Sequence, residues 1–179
     1  MPPQPEKKKK KDQTVDLAVE QGKFPVLFTF NRFGIEPLDS DDLLLHFGLN
    51  NSAGQVAAFA LVLEQTHCIL SLKSWSEYLE KVGAPKEEGD DSFRVTPSLL
   101  RRSFLPTANY TNWHRTGEMA EIRAFTFSMA DVFQAATVTA QKVPAQSVAL
   151  LRCSLELQRQ LLFKIIKRVR LLETSNSEI

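Results

Sequence analysis

The stretch Ser147–Leu172, SVALLRCSLELQRQLLFKIIKRVRLL, holds neither Gly nor Pro and carries the clearest periodic signal in the chain. Val148, Leu151, Leu155, Gln158, Leu162, Ile165, Val169 and Leu172 alternate spacings of three and four, as heptad a and d positions do on a helix. Gln158 is the one polar member. Leu150, Leu157, Leu161, Phe163, Ile166 and Leu171 widen the apolar surface well beyond a coiled-coil seam. The segment therefore reads as a long amphipathic helix wrapped on more than one side, either central in a bundle or lending a face to another subunit. Leu155, Leu162, Ile165 and Val169 are its candidates for a buried or partner-binding stripe. Lys164, Lys167, Arg168 and Arg170 crowd its last turns. A helix dipole favours cations there, and a basic amphipathic helix also suits a protein partner or a membrane surface.

Upstream, the spacing predicts more helices. Ser40 with Asp41 and Asp42 suits a first helical turn, leading through Leu43–Phe47 to a stop at Gly48. Ser52 caps a second, with Val56, Phe59, Ala60, Leu63 and His67 spaced three and four apart. Ser74 and Glu77 have capping-box spacing. Thr96-Pro97 opens a helix carrying Arg101 and Arg102, because Pro is harmless at the first helical position. Thr116 opens another whose stripe is Met119, Ile122, Phe125, Met129, Val132 and Phe133, closed by Val143-Pro144. Lys23–Phe30, aromatic and β-branched, reads as one short extended segment. Ala84–Ser92 is the convincing internal loop. The expected fold is an all-α, single-domain bundle of about five to seven helices. Residues 1–13 are an arm, 14–172 the helical domain and 173–179 a tail.

At 179 residues and net charge +1 the chain has no global electrostatic signature, but its charge is blocked. Lys7, Lys8, Lys9, Lys10 and Lys11 form an unbroken basic run; acids gather at Asp39–Asp42 and Glu87–Asp91. Cys68 and Cys153 lie in apolar stretches, where Cys acts as a small buried hydrophobe. The start is Pro-rich and Lys-rich with no apolar segment behind it, unlike a secretory signal. No apolar run reaches the roughly 20 residues of a membrane span. These features lead to an expectation of cytoplasm or nucleus.

No catalytic or cofactor pattern emerges. His46, His67 and His114 match no zinc spacing, and there is no nucleophile elbow, phosphate loop or dinucleotide fingerprint. We expect a non-enzyme without metal or cofactor. The lysine run has three open readings: an import signal, a phosphate-neutralising arm or a solubilising tail. Arg101 and Arg102, near Tyr110, Trp113, His114 and Arg115, mix cations with rings that could grip a single strand; an ordinary surface carries such mixtures too. The order Arg101, Arg102, Phe125, Phe127, Asp131, Phe133 is similar to that in helical coat proteins of filamentous plant viruses, over a small part of the chain and with no residue role carried over.

The functional expectation is a self-assembling, RNA-binding structural protein of coat or nucleocapsid type, located in the virion. Its nucleic-acid candidates are Lys7–Lys11, Arg101, Arg102, Arg115, Lys164, Lys167, Arg168 and Arg170. The alternative is a eukaryotic helical adaptor or complex subunit that binds a protein partner through its last helix.

Overall fold

A computed structural model describes residues 16–19, 24–97, 100, 105–128, 130, 131, 133 and 142–177. The strands are β1 Asp16–Val19, β2 Leu27–Thr29, β3 Arg32–Pro37, β4 Leu43–Asn51, β5 Gly54–Leu63, β6 Thr107–Ala108, β7 Tyr110–Thr116, β8 Met119–Thr126 and β9 Lys142–Ser154. Two long helices accompany them, α1 Gln65–Val82 and α2 Leu155–Ser177. The fold is α/β and dominated by β-sheet, which overturns the expected all-α bundle.

One sheet has the order β3-β4-β5-β6, with β6 parallel to β5 and the other pairs antiparallel. The second has the order β1-β9-β8-β7. Its 13-residue strand β9 hosts two parallel partners in succession, β1 from Lys142 to Ala145 and β2 from Leu150 to Arg152. The main core lies between the sheets and under both helices. It joins Phe33, Phe47, Leu61 and Leu63 to Trp75, Ile122, Leu151, Leu161, Leu162 and Ile165. A smaller cluster covers the opposite face of the first sheet, where Leu44, Ala60 and Val95 meet Leu38, Phe93 and Leu100.

That second cluster explains why helical spacing misleads here. β4 and β5 are apolar on both faces, so they read as continuous apolar runs rather than alternation. Leu43–Phe47 is therefore strand β4, not a helix. The stripe Val56–Leu63 is β5, and only His67 of that series is helical, on α1. Thr116 is no cap: it ends β7, the chain turns through Gly117, and Met119–Thr126 is β8. This also removes the helix that the likeness to coat proteins would place around Phe125. In Ser147–Leu172 the heptad frame runs unbroken across a change of structure. Residues 147–154 belong to β9 and α2 begins at Leu155. The expected arm at 1–13 and the expected helix positions of Arg101 and Arg102 lie outside the described residues.

Ser40-Asp41-Asp42 does serve a helix, though not the adjacent one. Asp42 Oδ1 accepts the Gln65 N–H at 2.9 Å, and Oδ2 accepts the Ser40 hydroxyl at 3.0 Å. Glu64, at the N-cap of α1, makes no side-chain cap bond. Asp42 thus caps α1 through space and places a negative charge at its positive end. Asp42→Ala is expected to lower unfolding free energy by about 1 kcal/mol, read as a shifted urea midpoint. Asp39→Ala, at an exposed position, should leave the midpoint unchanged; equal effects would refute the remote cap.

Candidate functional site

α2 positions most of the residues of interest. Leu155, Leu162, Ile165 and Val169 are 3% exposed or less, within the subunit's own core. Gln158 is fully buried among them, and all of its bonds are internal. Its amide nitrogen donates to the carbonyls of His114 and Glu121, at 3.1 and 3.0 Å, and its Oε1 accepts the Tyr78 hydroxyl at 2.8 Å. The heptad stripe therefore faces inward, and any partner must use another side of α2.

A second side is held by the loop after α1. Glu156, Gln160, Lys164 and Arg168 follow one another at intervals of four, forming one row along the helix. Glu156 Oε1 accepts the Lys86 and Glu87 N–H groups at 2.7 and 3.3 Å. Partial burial would raise its pKa, but these donors outweigh that and hold its carboxyl below the usual range. Gly89, at φ 80, passes so close to Gln160 that a Cβ would lie 2.7 Å from Oε1. Glu88 bridges Lys164 and Lys167 at 3.6 and 3.8 Å, and Asp91 meets Arg168 at 3.5 Å. Arg159 donates to the Val82 carbonyl. The loop then crosses to the first sheet. The Asp91 carbonyl accepts Ile35 N–H, Gly34 bridges Ser92, and the Phe93 ring fills the space a side chain at Gly48 would need.

Beside that row, α1 and α2 leave an apolar groove of about 550 Å³. Leu79, Ala84, Phe163, Ile166 and Leu171 line it, with Glu80, Lys167 and Arg170 among its polar residues. Arg170 also reaches Ser76 Oγ at 3.2 Å. Leu171 is 60% exposed.

The structure thus gathers Lys164, Lys167 and Arg168 under the acidic loop and turns Arg170 toward α1. Arg115 stands apart from that row, exposed near the β7–β8 turn with its Nε on the Gly117 carbonyl at 3.1 Å. Lys7–Lys11, Arg101 and Arg102 are not among the described residues. The rings suggested as a stacking platform are used internally. Trp113 is buried edge-on to Trp75, and half-buried Tyr110 packs on His67 and Phe125. Sequence reasoning missed the loop–helix match. Its signal was present as two opposite charge blocks, one of them ordered at intervals of four.

His46 and His67 make structural hydrogen bonds. His46 Nδ1 accepts the Val95 N–H at 3.1 Å, which leaves Nε2–H for Glu36 at 2.9 Å. Burial, helped by Arg94, lowers its pKa despite Glu36. His67 joins α1 to β7, with Nδ1 on Ser71 Oγ at 3.0 Å and Nε2 on Thr111 Oγ1 at 3.1 Å. This is a serine–histidine contact, but burial pulls His67 down to about 4, which makes it a poor base near neutrality. Burial also pushes the Cys68 and Cys153 thiols up to about 12, so neither is a ready nucleophile. Among the described residues no group of three His, Cys, Asp or Glu could hold a metal ion, and no helix is long and apolar enough to cross a membrane.

His67 sets a pH dependence. Its folded pKa is depressed, so between pH 6.5 and about 4 the unfolded chain binds a proton that the folded chain does not. Stability attributable to it is complete above pH 6.5 and falls as pH drops, by about 3 kcal/mol at pH 4. The lowered pKa values of His46 and His114 act in the same direction. Urea titrations from pH 7 to 4 should show this slope, shallower in His67→Gln. Identical slopes would mean His67 titrates normally in the fold.

No protein-family model, curated protein or solved structure matches the chain.

Proposed function

We propose that this protein is a non-enzymatic assembly subunit that pairs with a second copy of itself along its helical side. The observation that carries this reading is the apolar groove between α1 and α2, with Phe163 and Leu171 open to it while the heptad stripe is sealed in the core. A two-fold contact must be self-complementary. Of the charged residues that line the groove, Glu80 lies on α1, whereas Lys167 and Arg170 lie on α2. Setting α1 of one copy beside α2 of the other opposes acid to base around a shared apolar centre. A helix of 23 residues is roughly 35 Å long, long enough to organise the ~800 Å² per partner of a specific interface.

The Ser71–His67 contact has its base strongly depressed by burial, which disfavours a hydrolytic reading of that pair. A coat or nucleocapsid protein is the larger form of the same reading, in which the run Lys7–Lys11 would meet RNA phosphates.

Sedimentation at micromolar concentrations should give a dimer, and Leu171→Glu should give a monomer with an unchanged melting temperature. A stable monomer at every concentration would overturn self-pairing and favour the adaptor, whose groove takes a different chain. Large homopolymers would favour the coat.

A further inference from the structure

We propose that Lys164, Lys167 and Arg168 form a binding row for single-stranded RNA that the acidic loop occupies from within, so that Glu88 and Asp91 act as built-in competitors of the phosphate backbone. This surface differs from the self-pairing groove, although Lys167 borders both.

The first argument is that the chain itself seats anions there. Two carboxylates rest on three cations at 3.5–3.8 Å. Those distances lie at or beyond the limit of a hydrogen bond, so the cations are neutralised without being saturated. Three cations meet two contacting carboxylates, and Asp90 also lies near Lys164, so the row is close to neutral while the loop rests on it and turns positive when the carboxylates are displaced.

The second argument concerns how the loop is held. Its ends are fixed by contacts that do not involve these ion pairs. Glu156 grips the Lys86 and Glu87 N–H groups, and the far end is tied by Ile35 N–H to Asp91 O and by Val95 N–H to His46. Between them the Glu88 side chain is 70% exposed. The Glu88–Lys167 pair is exposed on both sides and contributes little to stability, while the Lys164 and Asp91 side chains are largely covered, at 15% and 26% exposed. A polyanion can therefore displace the two carboxylates without unfolding the loop.

The third argument selects the partner. Lys164 has a side chain only 15% exposed, beneath Glu88, whereas Lys167 is 59% and Arg168 39% exposed. A flat anionic bilayer cannot reach into such a notch, but a flexible strand can lay successive phosphates along it. Contacts of this type read charge and not sequence.

The test uses the full chain and a labelled single-stranded RNA oligonucleotide, followed by fluorescence anisotropy across salt concentrations. The double variant Glu88→Gln, Asp91→Asn should bind about tenfold more tightly at low salt, with a salt slope steeper by about 0.7 per phosphate gained. Adding Lys164→Gln, Lys167→Gln and Arg168→Gln to it should abolish the gain. Any contribution of Lys7–Lys11 is common to all variants and cancels. Melting curves accompany each variant, and the triple lysine–arginine change in the parent background gives a second reading that leaves the acids in place. Unchanged RNA affinity in a folded double variant would overturn the proposal. So would a gain that survives the triple change, or stronger binding to phosphatidylserine vesicles than to RNA. Self-pairing is scored separately by sedimentation: Leu171→Glu should retain the RNA gain, so either proposal can fail alone.

Discussion

The buried amide of Gln158 fixes where α2 sits, and the rest of the molecule is arranged around that seat. Its two N–H bonds go to carbonyls on β7 and β8, and its oxygen takes the Tyr78 hydroxyl on α1. Sliding α2 by one turn would bury this amide unpaired, at a cost of about 1–3 kcal/mol per lost partner. The apolar residues around it supply most of the stabilisation, about 1.5–3 kcal/mol for each buried side chain, but they would tolerate several placements. Leu155, Leu161, Leu162, Ile165 and Val169 can pack against many apolar walls, whereas Gln158 accepts one.

With α2 seated, the loop between α1 and β6 becomes a strap with two attachments. One is the row Glu156, Gln160, Lys164, Arg168; the other is the outer face of the β3–β4 pair. The strap also covers that face, where Phe93 lies on Gly48 and Val95 joins Leu44 and Ala60. His46 belongs to this attachment rather than to a reaction. Its neutral ring accepts from the strap and donates to β3, and protonation would put a second donor against the Val95 N–H.

Much of this was legible one residue at a time and illegible as a fold. The apolar positions of α2, the buried thiols and the polar exception at Gln158 stand out in the sequence. The strands do not, because β4 and β5 are covered on both faces and lose the alternation that identifies a half-buried strand. Asp42 shows the same limit: its chemistry as a cap is readable, but its partner Gln65 lies 23 positions away. At Ser154–Leu155 the three-and-four spacing crosses from strand to helix without interruption, so periodicity alone could not place the boundary. The acidic loop and the basic row were each visible, yet pairing them required knowing that β6–β9 brings α2 back beside the end of α1.

The surroundings of α2 explain why its sequence is apolar over so much of its circumference. At 100° per residue, Leu155, Gln158, Leu162, Ile165 and Val169 fall on one side, which the sheets cover. The row from Glu156 to Arg168 lies on another, and the strap meets it along that length. Phe163, Ile166 and Arg170 fall in the sector between those two sides, where α1 and α2 leave the groove, and Leu171 borders it just past the last strap contact at Arg168. An apolar side chain on a helix sector that its own chain leaves open adds nothing to the folded monomer, and it carries a solubility cost. The sector of α2 under the strap is charged, and the neighbouring sector that faces the groove is largely apolar. This contrast between two sectors of a single helix is the physical reason why one is neutralised internally and the other is the one proposed for a second copy.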